Sequence, residues 1–213
     1  MSASVKSASY HIDITMSLTI SLTPAQVEER LAKLRIPGKF TQEENSLYST
    51  TPVIVSPYSL FGFPTPLDNS SLTLSKIKEI VGADPTHPPS FFEHPWYADE
   101  AFMQLRCPPG WHFICQDVVA ESVGQPFNYW SRLKSDGMEL PNTIEVVLML
   151  FLHFAGSKEQ LLLRKHTWCA DAAGMGGNVT AGAFGRNGLF LSVHPQAFAS
   201  RGLGICGKVR MLE

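Results

Sequence analysis

Polar and apolar residues alternate strictly from Tyr10 to Leu22, which places Ile12, Ile14, Met16, Leu18, Ile20 and Leu22 on one face. A period of two marks a half-buried β-strand. The period then changes. Thr23-Pro24 offers an N-cap and a first-turn proline, and Val27, Leu31 and Leu34 follow at helical spacing. Glu28 and Glu29 stand early and Lys33 and Arg35 late, the sense the helix dipole favours, and Pro37-Gly38 ends the segment.

Residues 37–71 lose this periodicity. Pro52, Pro57, Pro64 and Pro66 limit regular pairing, so only Val53–Val55 reads as a short strand. Tyr58, Phe61 and Phe63 argue for an ordered irregular loop rather than a disordered linker, serving as a lid over a site or simply as cover. Ser71–Val81 reads as a helix with Leu72, Ile77 and Ile80 or Val81 turned inward. Residues 84–97, with repeated X-Pro steps, form a second irregular and lid-like segment. A short helix over Tyr97–Leu105, a turn at Cys107–Gly110, a strand over Trp111–Val119 and a helix over Gln125–Lys134 follow.

The clearest block begins at Leu140. Asn142 and Glu145 have capping-box spacing, and residues 143–155 are apolar nearly all round, the pattern of a helix buried inside a domain. After Gly156 come a strand over Leu161–Ala170, a turn over Ala172–Gly177, and a hairpin of Asn178–Arg186 with Leu189–His194. Asn187-Gly188 predicts a two-residue type I′ turn. That register sets Phe184 opposite Leu191, Gly182 opposite Val193 and Ala181 opposite His194, and turns Phe184, Leu191 and Val193 into the core. Gly202–Met211 adds a last short strand. The order predicts one α+β domain over 1–213: a mostly antiparallel sheet, helices packed on one face, and a C-terminal β-meander after a buried helix.

Composition narrows the function. Of 213 residues, 44% are apolar and only 17% charged, against about 25% charged in most globular chains. Few charges mean a large buried fraction or a surface that meets a partner, so a protein partner or a homo-oligomer is expected. The net charge of −2 and the lack of a basic run give nucleic-acid binding no support; Arg164, Lys165, Arg186, Arg201, Lys208 and Arg210 are the cations it would have to use. Cys107, Cys115, Cys169 and Cys206 show no zinc spacing and read as reduced, buried thiols, so neither metal nor cofactor is expected. Residues 2–9 lack the apolar core of a signal peptide, and Val146–Ala155 falls well short of the ~20 residues of a membrane span. A cytoplasmic, membrane-free location is the expectation.

Candidate chemistry gathers in two places. In a regular strand Arg164, His166 and Trp168 share one face, and Lys165, Thr167, Cys169 and Asp171 the other. His166 therefore cannot act as base for Cys169, which reads as a structural thiol. A cation, an imidazole and an indole at alternate positions suit a groove for an anionic or aromatic ligand, or an exposed sheet face with Arg stacked on Trp. The second place is Phe91–Tyr97 with Trp111 and His112, an aromatic cage or a loop pinned by its rings. Gly174-Met175-Gly176-Gly177 precedes a strand rather than a helix, so it is a turn and not a phosphate cradle. His94, Trp96, His112, Arg164, His166 and Trp168 are the ligand-binding candidates, and no residue is assigned a catalytic role. The sequence thus points to a ligand- or protein-binding accessory protein; the alternatives are a small enzyme with a His/Arg-lined site between the 90–112 segment and the 161–171 strand, and a nucleic-acid-associated protein using the C-terminal basic residues.

Overall fold

Thr23 ends the first strand and starts the first helix. Its hydroxyl accepts from Gln26 N (3.3 Å) while Gln26 Oε1 accepts from Thr23 N (2.9 Å), a reciprocal cap. The computed structural model describes residues 19–174 and 176–209. Most of the alternation over Tyr10–Leu22 therefore lies outside the described residues; its end forms β1 (Ile20–Ser21), which leads into α1 (Pro24–Lys33). Val27 and Leu31 are buried there as their spacing requires.

The stretch 37–71 holds more regular structure than its prolines suggest. α2 (Gln42–Leu47) is capped by Thr41 and Glu44 in the same reciprocal way. The strand expected at Val53–Val55 does not form: Val53 is 91% and Val55 72% exposed. It lies instead at β2 (Leu60–Thr65), buried throughout. Pro64 is tolerated for a geometric reason. Leu22 N donates to Gly62 O, so even-numbered backbone groups of β2 face β1, and β1 extends only along Phe61 and Gly62. The N–H that Pro64 lacks would have faced no strand.

α3 (Leu74–Val81) buries Leu74 and Ile77. The helix expected over 97–105 is split into two 3-10 turns, Pro95–Tyr97 and Ala101–Gln104. Glu100 between them is extended, and its carboxylate accepts from Gly174 N (2.9 Å). β3 (Gly110–Cys115), α4 (Trp130–Ser135) and β4 (Met138–Glu139) lead to α5 (Thr143–Ser157), which is buried from Thr143 to Ala155. β5 (His166–Ala173), β6 (Gly177–Gly185) and β7 (Gly188–His194) form the meander, followed by β8 (Leu203–Gly204) and β9 (Lys208–Val209).

The fold is α+β, with two sheets where one was expected. The first runs β1-β2-β3-β9-β4 and the second β7-β6-β5-β8; among these described strands β1–β2 and β5–β8 pair parallel and the other pairs are antiparallel. α5 packs against both sheets and against α1. Its first turn is tied to the second sheet by Thr143 N, which donates to Asp171 Oδ2 (2.5 Å). Farther along, the Arg30 guanidinium donates to Leu152 O (3.0 Å). Among the described residues no helix is long and apolar enough to cross a membrane.

The hairpin keeps its place but not its expected register. Gly185 faces Gly188, Ala181 faces Leu191, and His194 faces Asn178 rather than Ala181. Positive φ falls on Gly188 (+90°) and not on Asn187, so the turn is not type I′. β6 also breaks after Gly182, where Ala183 has φ +44° and donates its N–H to Lys165 O (2.7 Å). Phe184 and Leu191 remain core residues and Val193 is partly buried.

Candidate functional site

The second sheet has two covered faces. Cys169 and its neighbours turn toward α5, and burial, with the Asp171 charge beside it, pushes the thiol well above the ordinary range. The opposite face carries His166 and Trp168 from β5, Thr180 and Gly182 from β6, and Phe190, Ser192 and His194 from β7, as the register dictates. Irregular segments roof this face. Trp168 donates its indole N–H to Gln125 O (3.5 Å) and meets the edge of Phe127 at 5.5 Å. The loop after His194 folds back so that Phe198 stacks on the His194 ring, 4.3 Å away and 9° from parallel.

The roof leaves a hollow of 190 Å³ lined by His166, His194, Phe198, Ser200, Gly202 and Leu203. Its histidines differ from the others described. His87 pairs with Asp84, His94 with Trp96 N, His112 with Glu145, and His153 with Ser157. Among the described residues no protein group bonds the ring nitrogens of His166 or His194, and His166 Nδ1 is buried without a partner. Burial holds both imidazoles below the ordinary histidine value, and the charge of His194 lowers His166 further. Thr180 Oγ1, on the same face, is also buried without a partner.

The six sequence candidates do not form one site. His166 lines the hollow. Trp168 is not on an exposed face: it is fully buried, because residues 120–130 cover a face that alternation alone makes look free. Arg164 is exposed in the turn before β5. His94 is exposed and caps the 3-10 turn Pro95–Tyr97. Trp96 spans to the outer edge of β7, where its indole N–H donates to Leu191 O (3.2 Å). His112 lies in the interior. His194 and Phe198 are not among the sequence candidates: with His194 expected beside Ala181, the space there fits a shallow binding surface but reads better as a ring lying across small residues, and nothing in the sequence marks the return of the following loop that brings in Phe198.

His112 belongs to a second cluster whose outline imitates a catalytic triad. Its Nδ1 donates to Glu145 Oε1 (2.8 Å), and its Nε2 lies 3.9 Å from Cys107 Sγ. Nε2 is engaged more closely by Thr65 Oγ1 (2.9 Å) and Pro108 O (3.0 Å). Cys107 is fully buried, and burial, with the Glu145 charge beside it, raises its thiol far above the range of a reactive cysteine. Lys208 completes the cluster at 3.0 Å from Glu145 Oε1. Glu145 is opposed by burial, but His112 and Lys208 outweigh that and hold it below the ordinary glutamate value. These groups join α5 to β3 and β9. Among the described residues no group of three or more metal-ligating side chains converges.

The fold and hollow define an α+β protein with a small, imidazole-lined recess on a roofed sheet. Comparison with protein-family models, with curated proteins and with solved structures finds no match.

Proposed function

We propose that this chain is a binding protein for a small ligand, with the hollow over the second sheet as its site. One observation carries the reading: His166 and His194, whose ring nitrogens no described protein group hydrogen-bonds, line a single recess. Size sets the class. A hollow of 190 Å³ is smaller than the ~300–1,000 Å³ of ordinary organic-ligand sites and suits an ion or a molecule of few heavy atoms. An enzyme has less support, because all four thiols are buried and the one triad-like cluster is closed. Nitrogen-resolved NMR of the imidazoles during titration with small ions and fragments tests the proposal. Shifts concentrated at His166, His194 and Phe198 support it; ligand-independent rings at these positions overturn it.

A second copy of the chain is the other reading, favoured by the exposed Leu47, Val53, Val55 and Leu67, all within one stretch. It predicts a concentration-dependent oligomer in sedimentation that Val53→Asp with Val55→Asp dissolves. A monomer at every concentration removes it.

A further inference from the structure

We infer that the hollow takes a small oxyanion, held by His166 and His194 acting together as hydrogen-bond donors. This rests on the ligand-binding reading of the same hollow and adds the chemistry of the ligand.

The lining decides against a cation. No carboxylate or thiol is among the six residues that form the hollow. The acids in the neighbouring segments are engaged elsewhere: Asp117 with Lys165 (2.6 Å), Glu121 with the Tyr58 hydroxyl (3.0 Å) and Asp171 with Thr143 N (2.5 Å). The charges left in the bordering segments are positive. Arg201 is exposed between the lining residues Ser200 and Gly202, and Arg164 is exposed two positions before His166. A metal ion would have two imidazole lone pairs, no anionic ligand and two nearby arginines; an anion meets the opposite balance.

The imidazoles match an acceptor-only ligand. A neutral ring offers one N–H and one lone pair, and a protonated ring offers two N–H donors. In the unliganded protein burial keeps both rings neutral, and each would repel the other's charge. An oxyanion between them removes that repulsion and accepts from both. Binding is then coupled to proton uptake, so affinity rises as pH falls. Among the described residues, Arg164, Arg201 and the Lys165–Asp117 pair are the other charged groups in the segments that border the rings. Ser200 adds a hydroxyl at the same rim.

Sulfate is the probe of choice because its charge is constant across the range; acetate, Zn²⁺ and uncharged fragments are compared with it. Calorimetry at about pH 5.5 and about pH 8 is expected to show sulfate binding at least about tenfold tighter at the lower pH, with net proton uptake. His166→Gln and His194→Gln are each expected to weaken binding and flatten its pH dependence, and Arg201→Ala to weaken it with the slope retained. His194→Gln, at a ring with less burial, keeps the test open should His166→Gln disturb folding. Sulfate affinity that ignores pH, or that survives both histidine substitutions, overturns the inference. Zn²⁺ or an uncharged fragment shifting both rings while sulfate and acetate do not overturns the oxyanion but spares the ligand-binding reading. Rings that respond to no probe overturn both.

Discussion

His112 Nδ1 lies 2.8 Å from Glu145 Oε1, and both side chains are buried, Glu145 completely. A carboxylate enclosed in this way is tolerable only because His112, Lys208 and Asn142 N surround it. Glu145→Gln leaves Lys208 without its buried partner and is expected to cost on the order of 3–5 kcal/mol in a denaturant melt at neutral pH. The pH dependence has a definite sign. Glu145 is held below its ordinary value of 4.5 in the folded state, so its contribution is complete above that value and is lost as pH falls through the lower, folded one. The stability gap between wild type and Glu145→Gln should therefore narrow under acid. A gap that is constant from neutral to acid pH, or absent, contradicts the assigned role.

Trp168 and Arg164 separate the observed roof from the exposed face that alternation suggests. Trp168 is fully buried between Phe127 and His194, and Trp168→Ala should cost about 3–5 kcal/mol. Arg164 is exposed, and Arg164→Ala should stay within about 0.5 kcal/mol. Acrylamide quenching of single-tryptophan variants checks the same point, since Trp168 emission should be blue-shifted and protected. Easy quenching would mean that residues 120–130 do not cover it.

The β6–β7 turn gives a sharp local test. Gly188 has φ +90°, and a Cβ there would stand 2.6 Å from Phe91 C and 2.7 Å from Ser90 O. Gly188→Ala is thus expected to lower stability by more than about 1 kcal/mol and to loosen the bond from Leu189 N to Ser90 O, visible as faster amide exchange at Leu189. Asn187 lacks positive φ, so Asn187→Gly should be neutral or destabilising. A gain in stability from Asn187→Gly would favour the type I′ turn instead.

What was legible in the chain follows from how local each signal is. α1 and α5 were readable because a cap and an apolar pattern agree within one segment: Thr23-Pro24 before the helical spacing of Val27 and Leu31, and Asn142 with Glu145 before a run apolar nearly all round. α2 carried an equally local signal in Thr41 and Glu44, masked by the surrounding prolines. β2 was hidden because whether Pro64 is tolerated depends on where β1 stops, which is a tertiary fact. The hollow is further from the sequence still. His166 was visible as a polar residue on a strand, but its pairing with His194 depends on the β6 break at Ala183 and on the return of Phe198.

The thiols provide a further check. Cys107, Cys115, Cys169 and Cys206 are all buried, and burial raises each one, Cys115 to about 12. A thiol reagent at mildly alkaline pH should leave the native protein unlabelled over minutes and label all four after denaturation. A single rapidly labelled cysteine in the native state would locate an opening that the packing does not contain; Cys107, next to His112, is where it would bear on function.

Acid should also expose the strain at His153, His166 and His194. Burial lowers all three below their ordinary value of 6.5 in the folded chain. Below pH 6.5 the unfolded state takes up protons that the folded state refuses, so stability falls as pH drops from 6.5 toward the folded values. His194→Gln and His166→Gln should each blunt this loss. Urea melts between about pH 7 and pH 5 decide the point: an identical pH slope in His166→Gln and wild type would mean that the folded chain protonates this ring as readily as the unfolded one.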